Sequence, residues 1–303
     1  MIKISVIIPV YNCGQFIEQS IHSIQIQTIE EIEIICVDDG STDHSEEIIR
    51  NLQKKDGRIR LYSQQNQGAG AARNLGMCHA QGEFIAFLDA DDYYLDTDAL
   101  ECMFSTCKEQ KVSACGTRIS VDREGKLFKD RGYQDMVEAS GQSPVLQYRD
   151  FQFDYGYYGF IFERKLVSDN NIQFPLYRRF QDPVFLVRVM YAAERFCFID
   201  KALYAYRVPN VLLRFHKENT VDLLQGLLDN LEFAVKHDLN KLFEHTIKRV
   251  EEEYAEIICR NLGGESLSLL TRINQINRDN SSCGAEYVIA PLQKVLDSVK
   301  ASE

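Results

Sequence analysis

The 303-residue sequence predicts an α/β fold, a mostly parallel sheet flanked by helices, with a helical C-terminal extension. Three observations carry that prediction. Through about residue 110, apolar runs rich in β-branched residues alternate with stretches of helical period, the rhythm of strand–helix–strand units. The runs are continuous rather than every-other-residue, which marks strands covered on both faces. From about residue 217 onward only helical spacing remains.

Taken in order, "ISVIIPV" is the first buried strand, and "GQFIEQSIHSIQIQT" then sets Phe16, Ile17, Ser20, Ile21 and Ile24 on one helical face. "IEIICVDD" is the second strand. "STDHSEEIIRNLQKK" opens with Ser41, Thr42 and Asp43 as capping candidates and becomes a helix. "IRLYSQ" is a shorter third strand, "GAGAARNLGMCHA" a helix with glycines at its start, and "EFIAFLDADD" the fourth strand. Past about residue 112, "DREGKLFKDRGYQDMVEASGQSPV" reads as loop or hairpin, "FDYGYYGFIF" is densely aromatic, and a loop, a helix and a strand follow. "VDLLQGLLDNLEFAVK" and "KLFEHTIKRVEEEYAEIICRNL" carry apolar stripes that pack on the core. The expected divisions are residues 1–110, 111–216 and a helical region 217–303.

Bulk properties narrow the function. A net charge of −11 argues against nucleic acid as a partner. Nine cysteines without a C-x-x-C pair read as small buried hydrophobes in a reducing cytosol. "MIKISVIIPVYN" is short, apolar and meets a proline, so it reads as a core strand and not a signal peptide. No apolar run reaches the roughly 18 residues that cross a bilayer. The expected location is therefore cytoplasmic, with peripheral contact at an inner membrane face left open.

Chemistry gathers where the strands end. Strand one closes in "PVYN", residues 9–12, strand two in Asp38 and Asp39, and strand four in Asp89, Asp91 and Asp92. Ligands of parallel sheets bind at the carboxyl ends of their strands, so these polar groups share one rim. Three acids in four residues repel one another. A hard dication, Mg2+ or Mn2+, removes that repulsion and completes its shell with phosphate oxygens. Asp43 is the natural helix cap, which frees Asp38 or Asp39 to accept from a base N–H. "GAGAAR" mimics a dinucleotide fingerprint, but Arg73 stands where its last glycine belongs. The glycines then serve a tight helix start, and Arg73 holds a pyrophosphate.

"VIIPVYN", "VDDGSTD", "NQGAGAARNLG" and "FLDADD", in this order, resemble family 2 glycosyltransferases of the GT-A fold over roughly residues 3–100. The resemblance implies an inverting, metal-dependent hexosyltransferase of bacterial type. It would take a nucleotide-sugar donor, most often a UDP-sugar, and a saccharide or lipid-linked acceptor of surface polysaccharide synthesis. Pro9, Val10, Tyr11 and Asn12 would line the base site with Asp38 and Asp39, Asp39 meeting the uracil N–H. Arg73 would approach the base or phosphates, Asp89 and Ala90 the ribose or sugar. Asp91, with Asp92, would bind the metal.

Single displacement also needs a base for the acceptor hydroxyl. The resemblance points to Asp182 in "RRFQDPVFLVRV", with Gln181 where the family commonly has Glu. Capping chemistry also suits Asp182 ahead of Pro183. Arg178 and Arg179 could meet phosphates, His216 could close over the donor, and "FDYGYYGFIF" could stack on an acceptor sugar or fill the core. A nucleotidyltransferase would need a glycine-rich, lysine-bearing loop after strand one, which "PVYNCGQF" lacks. A nucleotide-sugar binder without turnover is the other alternative, and Gln181 is its only hint.

Overall fold

A computed structural model describes residues 1–129, 132, 134–208, 217–280 and 287–300. His216 lies outside the described residues. The strands are β1 (Ile4–Val10), β2 (Ile32–Asp38), β3 (Ile59–Ser63), β4 (Phe84–Phe87), β5 (Tyr93–Tyr94), β6 (Ala114–Arg123), β7 (Lys126–Lys129), β8 (Leu146–Gln147), β9 (Phe160–Glu163) and β10 (Arg195–Arg207). The helices of the first half are α1 (Ile17–Gln25), α2 (Ser45–Gln53), α3 (Ala69–His79) and α4 (Ala99–Gln110). Then come α5 (Gln134–Ser140), α6 (Tyr148–Phe151), α7 (Arg164–Asp169) and α8 (Gln181–Ala193). The last are α9 (Lys217–Lys236), α10 (Asn240–Lys248), α11 (Ala255–Arg260), α12 (Glu265–Asn280) and α13 (Ala290–Lys300), with a π-helical segment, Arg249–Glu253, between α10 and α11.

The sheet runs β3-β2-β1-β4-β9-β6-β10-β5, with β7 on β6 and β8 on β10. Its first four strands are parallel, as the alternating sequence predicts. β9 inserts antiparallel to both β4 and β6, and β6 pairs parallel with β10. β1 and β2 are buried along their whole length. Their two interior polar residues meet each other: Ser5 Oγ donates to Glu33 Oε1 at 2.6 Å, and the Gln81 N–H joins that oxygen at 2.7 Å, while Arg60 Nε lies 3.6 Å from Oε2. The polar stretch after residue 122 forms the β6–β7 hairpin and α5. Cys36, Cys107, Cys115 and Cys197 are buried free thiols.

The chain divides into two compact units. The first holds Met1–Phe151, Tyr155–Leu176 and Arg188–Val211, and contains the sheet. The second holds Gln152–Asp154, Tyr177–Val187 and Leu212–Glu303. In the second, the stretch 241–262 is not one regular helix, because the π-helical segment and Tyr254 interrupt it. Among the described residues no helix is long and apolar enough to cross a membrane.

Candidate active site

The site is built from the carboxyl ends of β1, β2 and β4, neighbours in the sheet. Val10 pairs with Asp38, and the Asp39 N–H donates to the Val10 carbonyl at 2.8 Å. The β1–β4 pairing stops at Ile7 and Phe87, followed by one last bond from Leu88 N–H to Ile7 O at 3.0 Å. Pro9 lies just beyond, on the side where β1 has parted from β4, so its missing N–H breaks no ladder. Tyr11 follows with its ring half exposed. Asn12 takes a left-handed conformation, φ 51°, which asparagine tolerates. Its Oδ1 accepts from Thr42 N–H at 2.8 Å and its N–H donates to Ser41 Oγ at 3.0 Å, tying the ends of β1 and β2 together.

Asp39 organises the next loop. Its Oδ1 accepts from Gln67 N–H at 2.8 Å and Gln64 Nε2 at 2.7 Å, and its Oδ2 from Gly68 N–H at 2.8 Å. Gly68 has φ +92° immediately before α3, a conformation open to glycine. This bridge from strand end to glycine loop was not anticipated from the sequence. Asp38 is buried, with Ser41 N–H 3.3 Å from both its carboxylate oxygens. Asp43 accepts from the Ser45 and Gly14 amides at 2.9 Å each; the cap position of α2 is His44, so Asp43, expected as the cap, braces the first helical amide from one residue outside it.

The acids after β4 divide the labour. Asp89 Oδ1 accepts from Arg73 Nη2 at 2.8 Å and from the Tyr157 hydroxyl at 3.0 Å. Arg73, expected to reach a pyrophosphate, is buried with the rings of Tyr157 and Phe174 at 4.9 and 5.3 Å from its guanidinium carbon, and it pairs with Asp89. Ala90 is buried. Burial, and then the charge of Asp89, push the Asp91 carboxyl above its ordinary range. Asp92 turns inward: its Oδ2 accepts from the Tyr204 hydroxyl and its Oδ1 from Arg207 N–H, both at 2.7 Å. Burial, then Asp89, raise its carboxyl to about 9. Of the two expected metal ligands, Asp92 is therefore committed to the protein and Asp91 has the more open carboxylate. Among the described residues no three His, Cys, Asp or Glu side chains are arranged to hold a metal ion by themselves.

Three residues here escaped the sequence reading. Tyr157, Tyr204 and Arg207 come from the second half of the chain and serve Asp89, Asp92 and the Asp91 carbonyl. Arg207 also lies over the rings of Phe16 and Tyr93 at 4.6 and 5.2 Å. "FDYGYYGFIF" held the only signal, and aromatic residues alone do not say which hydroxyl meets a carboxylate. Tyr157 and Phe160 from that run are core residues.

Asp182 belongs to the second unit. The helix begins at Gln181, two residues earlier than capping by Asp182 would require, so Asp182 and Pro183 both lie in the first turn of α8, where proline's missing N–H is harmless. Phe180, in the cap position, has φ +67°. Gln181 is buried, and among the described residues its Oε1 meets no donor. Arg178 uses its backbone N–H to reach Asp222 Oδ2 at 2.8 Å.

Residues 5–179 match the family model described as Glycosyl transferase family 2. The chain belongs to this family. This family 2 glycosyltransferase is 32% identical over 229 residues to EpsJ, an uncharacterized glycosyltransferase of Bacillus subtilis (strain 168), a match covering 72% of this chain and 65% of EpsJ. It is 39% identical over 132 residues to the GalNAc(5)-diNAcBac-PP-undecaprenol beta-1,3-glucosyltransferase of Campylobacter jejuni, covering 43% of this chain and 42% of that one. Among solved structures it resembles S. aureus TarS 1-349 in complex with UDP-GlcNAc, with TM-score 0.74, 20% identity and coverage of 91% and 81%. It also resembles the Pyrobaculum calidifontis mannosyltransferase PcManGT in complex with GDP-Man and Mn2+, with TM-score 0.61, 17% identity and coverage of 99% and 79%. These likenesses establish the GT-A fold.

Proposed function

We propose that this protein is an inverting glycosyltransferase that moves a sugar from a nucleotide diphosphate, UDP in the first instance, to a saccharide or lipid-linked acceptor in surface polysaccharide synthesis. One observation carries the reading: acids from separate strand ends, Asp39 after β2 and Asp89 and Asp91 after β4, lie at the carboxyl edge of parallel strands that flank β1 on either side. The UDP-GlcNAc complex of TarS supports the donor class, and the undecaprenol-linked substrate named for the Campylobacter relative supports the acceptor class.

In this reading Pro9, Val10, Tyr11 and Asn12 wall the base, and Asp39 keeps one carboxylate lone pair for it beyond the three bonds it accepts. Arg73 holds Asp89 in place, and Asp89 Oδ2 faces the ribose or the sugar. Two charges crowd Asp91 and Asp89, the chemistry that a hard dication relieves. Asp91 would hold Mg2+ or Mn2+, with diphosphate oxygens and water completing the shell, and the metal of the PcManGT complex supports that choice. The cation would neutralise charge on the leaving diphosphate. One opposite pair at ~4 Å is worth about 4 kcal/mol at an effective dielectric of 20. Asp182 takes the proton of the acceptor hydroxyl as it attacks. The enzyme works in the cytoplasm, at the inner membrane face where a lipid-linked acceptor is presented.

The test measures nucleotide release and sugar transfer from a panel of UDP-sugars with Mg2+, Mn2+ or EDTA, for wild type, Asp91→Ala and Asp182→Asn. Asp91→Ala should lose metal-dependent release. Asp182→Asn should bind donor normally and lose transfer. If Asp91→Ala fails as expected but Asp182→Asn transfers like wild type, the base is another group. If no sugar nucleotide binds with either metal, the whole reading falls.

A further inference from the structure

We infer that Arg249, in the C-terminal helices, is a positioning residue for Asp182: it clamps the turn that launches α8 and so sets where the carboxylate points. The inference rests on the reading of Asp182 as the base. Asp154, Phe180, Asp182, Gly226 and Arg249 all belong to the second unit.

The turn needs holding. Phe180 sits two residues before Asp182 with φ +67°, a region that an aromatic residue leaves unless its surroundings prevent it. Those surroundings are specific. The Arg249 guanidinium lies over the Phe180 ring at 4.8 Å, and the Tyr254 ring meets it edge-on at 6.2 Å and 82°. Behind it stands Gly226 of α9, where a Cβ would fall 2.9 Å from Phe180 Cδ1, so no larger residue fits without displacing the ring. The approach is tied down as well. Tyr177 donates its hydroxyl to Asp229 Oδ2 at 2.9 Å, and Arg178 N–H reaches Asp222 at 2.8 Å, both acceptors on α9.

Arg249 is itself immobilised by every nitrogen of its fork. Nη1 spans the two Asp154 oxygens at 3.0 and 2.9 Å, Nε donates to Glu253 at 3.0 Å, and Nη2 to the Tyr254 hydroxyl at 2.8 Å. Asp154 is fully buried, so this guanidinium cannot drift without stranding a charge. The π-helical segment starts at Arg249. Such insertions persist where a side chain is aimed at a task that regular α geometry would miss. A planar, stacking cation is required, and lysine supplies only the charge. The break in the helical period over 241–262 thus has a purpose two residues from the base.

Four proteins decide it: wild type, Arg249→Lys, Asp182→Asn and the double variant, each measured for kcat of transfer, KM for acceptor and Kd for UDP-sugar with Mn2+. Asp182→Asn should lower kcat by about 10²–10⁴-fold. Arg249→Lys should lower kcat about ten- to a hundredfold by misplacing the base, with donor Kd unchanged within twofold. In the Asp182→Asn background the same lysine should cost little more, since residues acting through one group are not additive. Phe180→Leu, which keeps the apolar filling and removes the ring, should behave like Arg249→Lys and stands in should that variant fold poorly. If the Arg249 and Phe180 variants keep wild-type kcat, or lose as much with Asp182→Asn as without it, the positioning role is wrong and the base assignment stands. If Asp182→Asn transfers normally, the base assignment fails and the inference goes with it.

Discussion

The Tyr204 hydroxyl donates to Asp92 Oδ2 at 2.7 Å, a contact closed to solvent from both sides, with Asp92 1% and Tyr204 0% exposed. It joins β10 to the turn after β4 and holds Asp92 inside the protein. Tyr204→Phe should therefore cost about 1–3 kcal/mol, the penalty for a buried polar group that loses a partner. Urea denaturation measures it. Burial, then the charge of Asp89, push the Asp92 carboxyl well above its ordinary range, which favours the neutral form of this side chain. Asp92→Asn should then cost less than Asp92→Ala, and equal losses would show that the carboxyl's shape is irrelevant.

Asp91 should behave in the opposite way. Its carboxylate is crowded by Asp89 and shifted by burial, so Asp91→Asn relieves repulsion and should leave the ligand-free protein at least as stable as wild type. The cost is functional. Wild type with Mn2+ and donor at ten to a hundred times its dissociation constant gains about 1.4–2.7 kcal/mol. Asp91→Asn should lose most of that gain, and EDTA should remove it from wild type. A thermal-shift titration that finds the same ligand gain in both proteins refutes the assignment.

Arg73 is buried against Tyr157 and Phe174 and paired with Asp89, whose side chain is 25% exposed. Arg73→Lys retains the charge and loses the flat stack. Expect about 1–2 kcal/mol of lost stability together with weaker donor binding, because Asp89 is no longer aimed. Calorimetry on the folded variant separates the two effects. A wild-type donor affinity would confine Arg73 to a role in folding.

Asp154 gives a pH prediction. Burial, the largest influence, pushes its carboxyl up. The hydrogen bond from His245 and the charge of Arg249 push it down further, and the net position is below the usual carboxylate range. A depressed folded value contributes stability that is complete above the unfolded value of about 3.9 and is lost as pH falls through the folded one. Wild type should thus weaken below about pH 4. Asp154→Asn, less stable at pH 7, should lose less over the same acid range. Denaturation curves of equal slope against pH for the two proteins contradict this.

How far the sequence reached depends on the range of the interaction. β1 to β4, the helices between them and the rim that carries Asp39, Asp89 and Asp91 were legible. Each follows from local period, and a parallel sheet places all its carboxyl ends on one edge. The insertion of β9 between β4 and β6 was not legible, since a four-residue strand, three of its residues apolar, does not name its partners. Nor did the sequence reveal that Arg73 would turn to Asp89, that Asp92 would be sealed under Tyr204, or that Arg249 would brace Phe180. These pairs lie 16, 112 and 69 positions apart. By itself, then, the sequence determined the architecture of the first half and the acidic character of its edge. Only the tertiary structure decided which carboxylates stay open at that edge and which are consumed inside, because desolvation and hydrogen bonding act between groups that meet only when the chain has folded.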